Sequence, residues 1–457
     1  MNKESISDIG KESIGKLLFK LAIPAIAAQL ANLFYNIIDR IYIGHIPSVG
    51  THALTGVGLT FPIIMITSAF SSLIGMGGAP RAAIKMGENK YDEAENILGN
   101  CFVTLIAISL ILTLFLMIFK ERLLLILGAS AETLPYSLNF LNIYIWGTLF
   151  TQITLGLNPF ISTQGFSKIS MISVIIGGGV SVILDPIFIF ILKMGVSGAA
   201  LANVIAQFIS AMWVLKFLTG NKTTLKIRKE NMVIKKAVII PVFLLGSSSF
   251  TIQSTDSLLN IVFNSSLQNY GGDIAVGSMT IMYSLMQVLT LPVLGMTQGA
   301  QPIISYNYGA VNNERIKKTF KLLIICALSF TTVYWTFVMV APRFLASLFT
   351  NDTKLLESII WSIRIYMSVA FFIGVQISCQ QTFIALGQAK LSVILALLRK
   401  VILLIPLIYI LPNFFSDKVF AVFLAEPISD FLAVTITIIT FVIQFRKILS
   451  RNVTLIT

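Results

Sequence analysis

The sequence predicts an all-α integral membrane protein with twelve transmembrane helices in two pseudo-symmetric six-helix bundles. Three observations carry this. Of 457 residues, 56% are hydrophobic and only 12% charged, about half the charge of a soluble domain. Twelve apolar runs approach or exceed the ~20 residues that cross a bilayer, at 17–43, 53–78, 96–119, 133–157, 169–192, 196–219, 237–263, 274–300, 319–341, 355–382, 390–411 and 419–445. The chain also repeats itself. Pro24 precedes Asp39 by 15 residues, as Pro241 precedes Asp256; Gly87 and Gly309 then correspond at an offset of 222. Six helices per repeat return the chain to its starting side, so the two halves share one orientation and their axis runs along the membrane normal.

The first run follows a head bearing Lys3, Glu4, Lys11, Glu12 and Lys16. It reads as a retained helix rather than a cleavable signal peptide. Asn32, Tyr35, Asn36 and Asp39 share one face of it. A polar stripe at membrane depth faces protein or a water-filled cavity, and a carboxylate there marks a functional site or a buried packing bond. Pro24 removes a backbone bond below the stripe and can kink the helix.

The second run ends in Gly75, Gly77 and Gly78, and the fifth holds Gly177 to Gly179; both sets suit close helix contact. Asn158, after the fourth run, is a candidate cavity residue. The fifth also holds Ser181, Asp185 and Pro186, and the sixth Asn203 and Gln207. These could converge with Asp39. Two carboxylates in low dielectric cannot both stay ionised, so the pair could hold a proton or, through hard oxygen ligands, Na⁺.

Residues 220–236 are polar and basic and separate an N-terminal lobe, 1–219, from a C-terminal lobe, 237–457. In the seventh run Gln253 and Asn260 flank Asp256, which repeats the stripe. The eighth carries Met279, Met282, Met286 and Met296. Flexible thioethers suit a surface accepting many shapes, with Met286 the candidate, or else they fill core. Arg364, Arg399 and Lys400, with Glu426 and Asp430, form internal ion pairs or give the cavity a cationic wall.

The net charge of +13 does not point to nucleic acid, because its basic residues gather at span ends. The head, 79–95, 220–236, 312–321 and the tail (Arg446, Lys447, Arg451) lie on one side. The positive-inside rule makes that side, and both termini, cytoplasmic. Cys101, Cys326 and Cys379 lack CxxC partners and read as packed hydrophobes. His45 and His52 have no metal-ligand neighbours. No GxxxxGK[ST] loop occurs, no nucleophile–base motif is recognisable, and no enzyme or cofactor is expected.

The proline–aspartate spacing, LDPIFIF at 184–190, GVSGAALANVIAQ at 195–207 and the GMGGAP…MGENKYDEA stretch resemble multidrug and toxic compound extrusion (MATE) transporters, in their prokaryotic MepA/DinF-like branch. The resemblance spans all twelve runs. It implies a V-shaped, monomeric carrier of a bacterial plasma membrane. Bulky, often cationic or aromatic compounds would leave in exchange for H⁺ or Na⁺. A related fold serves flippases of lipid-linked precursors. Asp39 and Asp185 match the family's cation site. Ser181 stands where an asparagine is expected and Asn203 where a threonine is. Asp256 falls where one branch has a helix-seven glutamate. That branch's helix-ten acid is missing here, since 355–382 offers only Glu357 near its end.

Overall fold

The structure is a computed structural model that describes residues 9–47, 50–349 and 353–454. Lys3 and Glu4, expected in the basic head, lie outside the described residues, as does the side chain of Arg451. Among the described residues all regular structure is helical. The first half comprises α1 (Ile14–Gly44), α2 (Gly50–Gly87), α3 (Tyr91–Ile126), α4 (Leu134–Thr163), α5 (Ser167–Ile191) and α6 (Val196–Thr219). The next helical stretch, Lys236–Gly309, has 74 residues. At 1.5 Å per residue it would be ~110 Å long as one rod, several membranes thick. Gly272 breaks it, with φ 60° and ψ −156°, a conformation open only to glycine. The result is α7 (236–271) and α8 (273–309). Then follow α9 (Asn313–Val340), a short helix Pro342–Ser347, and α10, made of Thr353–Tyr366 and Ala370–Ala385 bent by 53°. The chain ends in α11 (Ala389–Asn413) and α12 (Lys418–Thr454). Among the described residues ten helices are individually long and apolar enough to span; the bent pair α10 and the division at Gly272 make twelve.

The helices on the basic side run further than hydropathy suggests. Much of the expected loop 79–95 is helix, because α2 continues to Gly87 and α3 starts at Tyr91. Only three residues turn the chain, with Asn89 at φ 61°. The corresponding turn between α8 and α9 uses Val311 at φ 57°, again at an offset of 222. Basic residues such as Arg81 and Lys85 therefore ride on a helix extended past its apolar stretch.

Lipid supplies no hydrophobic drive between helices, so close packing must hold them. Ile111, Leu114 and Ile118 are 65%, 62% and 72% exposed on α3, a stripe turned to the acyl chains. Between helices, small residues admit backbone contact. A Cβ on Gly75 would stand 2.7 Å from Gly156 O, and one on Gly78 2.7 Å from Cys101 Sγ. Cys101 and Cys379 are buried and Cys326 half-buried, all as free thiols.

Among the described residues the two halves share core only at the end bearing the basic turns. There Leu17, Leu18, Leu21 and Ala22 pack with Ala300, Ile303 and Ile304, and Leu73 and Ile74 with Ile239 and Val242. Toward the other end the cores are separate. One gathers Ile43, Ile63, Phe140 and Ile189; the other gathers Leu259, Leu267, Met279 and Phe423. The molecule is a V joined at its basic end.

Residues 220–235, a polar stretch in the sequence, are clamped onto the first half. Gln164 Oε1 accepts from Thr223 Oγ1, Thr224 N and Leu225 N, each at 2.8 Å. Glu95 accepts from Arg228 Nε at 2.9 Å and Lys226 N at 3.1 Å. Asn100 Oδ1 accepts from Lys235 N at 2.6 Å. Leu225 is wholly buried.

Candidate functional site

The polar stripe of α1 faces α5. Gly178 makes this possible, since a Cβ there would already stand 3.3 Å from the Tyr35 ring. Asp185 is completely buried. Ser181 Oγ, one turn earlier, donates to its Oδ2 at 3.4 Å, while Oδ1 is buried without a partner. The half-buried Asp39 lies within charge-interaction range of Asp185, and Tyr35 within range of both acids. Arg40 lies within charge range of Asp39 but is turned toward α2. Its guanidinium sits 4.7 Å from the Phe61 ring centroid on α2.

Pro186 and the π turn Ile187–Ile191 follow Asp185 directly. Proline lacks the N–H that would continue the ladder, and π turns often occur at functional sites. Asn36 Nδ2 donates to the backbone carbonyl of Asn32 at 2.7 Å. On α6, Gln207 O accepts from Thr154 Oγ1 at 3.4 Å, and Gln207 Oε1 is buried without a partner. Asn203 is half-buried one turn earlier; no hydrogen bond among the described residues joins it to Asp185.

Other candidates lie elsewhere. Asn158 is spent on the α4–α5 seam, donating to Ser170 O at 3.3 Å and accepting from Ser173 Oγ at 3.1 Å. Met286 packs on the core of the second half beside buried Met279 and Met282, so these thioethers fill core. Gln253 is half-buried one turn before Asp256. Asp256 is held by Lys400 Nζ at 2.5 Å, a partner on α11 that no spacing rule reveals. Arg399 binds Glu426 and Asp430, whereas Arg364 is exposed. Of the three basic residues, two are thus taken by acids.

Sequence reasoning missed Tyr144, wholly within α4 and in charge range of Tyr35. It also missed Gln29 on α1, whose Nε2 donates to Gln298 Oε1 of α8 at 3.1 Å, across the halves. An amide in an apolar helix was the available signal. Among the described residues no three His, Cys, Asp or Glu side chains cluster as a metal site; the first-half site offers two carboxylates with amide and hydroxyl oxygens.

The MatE family profile matches residues 24–187 and 249–410, once in each half. The chain belongs to the MatE family. It is 27% identical over 438 residues to multidrug export protein MepA of Staphylococcus haemolyticus (strain JCSC1435), covering 95% of this chain and 96% of that protein. A crystal structure of MATE in the bent conformation superposes with a TM-score of 0.92 at 20% identity, over 98% of this chain and 99% of that one. An outward-facing multidrug resistance MATE transporter of the MOP superfamily gives 0.91 at 20% identity, over 96% and 98%. This MatE protein therefore has the MATE fold, with Asp39 and Asp185 inside the first matched segment.

Proposed function

We propose that this MatE protein is a secondary active multidrug efflux antiporter. It would export bulky, often cationic or aromatic compounds in exchange for H⁺ or Na⁺. The observation that carries this is Asp185: a fully buried carboxylate inside a membrane helix, with one oxygen unpartnered, beside Asp39. A proton or a monovalent cation satisfies that oxygen, and a carboxylate at membrane depth is expensive without one. The name of the staphylococcal relatives, multidrug export protein, supports the substrate class.

Ion binding acts by differential affinity, the only way a ligand shifts a conformational equilibrium. With both acids charged, α1 and α5 repel, and the pair favours a state admitting a cationic drug or water. With a bound ion, the helices close on each other through Tyr35 and Gly178. Drug and ion would so exclude one another. The joined, basic end would face the cytoplasm, both termini with it. The V would open outward from a bacterial plasma membrane as a monomer surrounded by lipid.

A flippase for lipid-linked precursors would want free cations in the cleft. Arg399 and Lys400 are bound to acids instead, which weighs against it. Ethidium efflux from proteoliposomes under separate pH and Na⁺ gradients tests the proposal. Asp39→Asn and Asp185→Asn should fold but lose gradient-driven efflux. Full coupled efflux by both variants would refute it.

A further inference from the structure

A second charge cluster lies apart from Asp39 and Asp185, on α7, α11 and α12. Arg399 Nη2 donates to Glu426 Oε1 at 3.0 Å, and Arg399 Nε to Asp430 Oδ1 at 2.5 Å. Lys400 Nζ donates to Asp256 Oδ1 at 2.5 Å and to Ile252 O at 3.0 Å. Arg399 and Lys400 are consecutive in the π turn Leu398–Leu404 and reach different helices, α12 and α7, as side chains about 100° apart around a helix do. Ser429 Oγ donates to Arg399 O at 2.8 Å and fixes α12 against that turn. The first-half site also abuts a π turn, on α5, the repeat counterpart of α11.

The cluster's charges do not balance. Asp256, Glu426 and Asp430 face only Arg399 and Lys400, leaving one negative charge in excess. Arg364 is exposed and outside the cluster. Tyr366 and Tyr283, the other titratable side chains within charge range, are phenols and supply no cation. The surplus has a structural address. Glu426 is 4% exposed, and its Oε2 is buried without a partner while Oε1 is held by Arg399. Asp430 and Asp256 each hold a cation at 2.5 Å. Uncompensated buried charge is the costly case for ion clusters.

We propose that Glu426 is a proton-binding site of the second half, distinct from the Asp39–Asp185 pair. An O–H bond forms at Oε2; Oε1 becomes the carbonyl oxygen and keeps accepting from Arg399. The proton comes from water and returns to it, with Asp256, whose side chain is 45% exposed, the cluster's opening to solvent. The proton's use in transport rests on the antiporter reading; the protonation itself does not.

The test uses the full-length Asp39→Asn/Asp185→Asn protein in bilayers, free of the first-half carboxylates. Infrared difference spectra are recorded across a pH titration. A protonated-carboxyl C=O stretch should be present at neutral pH and disappear on alkalinisation. Adding Glu426→Gln should reduce it to background, while Glu426→Asp should keep it with a shifted midpoint and so control for folding. No such band in the starting protein, or an unchanged band with Glu426→Gln, overturns the proposal. Failure of the Asp39–Asp185 reading shows separately, as ethidium efflux by the double variant, under a pH or a Na⁺ gradient, equal to that of wild type.

Discussion

At Gly246 the backbone of α7 packs directly on the backbone of α2, and a side chain there should unseal the basic end. A Cβ on Gly246 would stand 2.6 Å from Leu73 C and nearer still to its carbonyl oxygen; one on Gly77 would stand 2.9 Å from Gly246 N. Ordinary contact begins at 3.4 Å, so α2 and α7 must part by at least 3.4 − 2.6 = 0.8 Å. Both obstacles are helix backbone, and no rotamer change relieves them. Overpacking of this kind costs about 1–3 kcal/mol. If the state opened at the basic end lacks this contact, Gly246→Val shifts the balance toward it by about 5- to 150-fold. The assay places a single cysteine at the buried Ala300 in a background without Cys101, Cys326 and Cys379. Labelling by a membrane-impermeant maleimide is followed in inside-out vesicles. It should accelerate at least about fivefold with Gly246→Val, and should not change with Gly179→Ala, whose Cβ meets nothing within 4 Å. A well-folded Gly246→Val protein labelling at the parent rate would refute the reasoning.

Three further outcomes are expected. Gln164→Ala strips the shared acceptor from the 223–225 clamp, costing about 1–3 kcal/mol for the Thr224 and Leu225 N–H groups left unmatched, since Thr223 Oγ1 keeps Leu225 O; limited proteolysis should then cut 220–235 faster than in wild type, and an unchanged rate would count against the clamp. Arg399→Ala leaves Glu426 and Asp430 without their cation, a loss of about 3–5 kcal/mol visible as a lower Tm, whereas the exposed Arg364→Ala should fall within about 0.5 kcal/mol of wild type. At Glu88, in the α2–α3 turn, burial raises the pKa, but hydrogen bonds from Lys85 and Lys90 outweigh it and hold the carboxyl below its usual value. Its contribution is therefore present above the ordinary glutamate range and is lost as pH falls through the depressed value; acid-dependent hydrogen exchange at this turn should vanish in Glu88→Gln.

The repeat legible in the sequence has a physical counterpart in the fold. Gly87 and Gly309, equivalent at an offset of 222, face each other across the halves. A Cβ on Gly87 would stand 3.0 Å from Tyr306 C, and one on Gly309 2.8 Å from Ile84 C, and Tyr306 is the equivalent of Ile84 at the same offset of 222. Contacts exchanged in this reciprocal way are what a two-fold axis produces. The sequence shows which residues are equivalent but not that they meet. The polar stripe of α1 was legible for a similar reason: its spacing is intrinsic to one helix. The unequal fates of Asp39 and Asp256 were not, because Lys400 reaches Asp256 from 144 positions away.

By itself the sequence determined what depends on neighbours along the chain: the apolar runs and their number, the glycines and prolines that interrupt them, the duplicated order and the acids at membrane depth. Each follows from solvation and helix geometry, which act within one span. Tertiary structure alone decided which charges pair, that 220–235 is clamped, and that the halves join at the basic end and part at the other. Lipid is indifferent to how apolar helices are arranged, so hydropathy carries no information about these choices. Backbone contact at glycines, and partners for buried charge, make them.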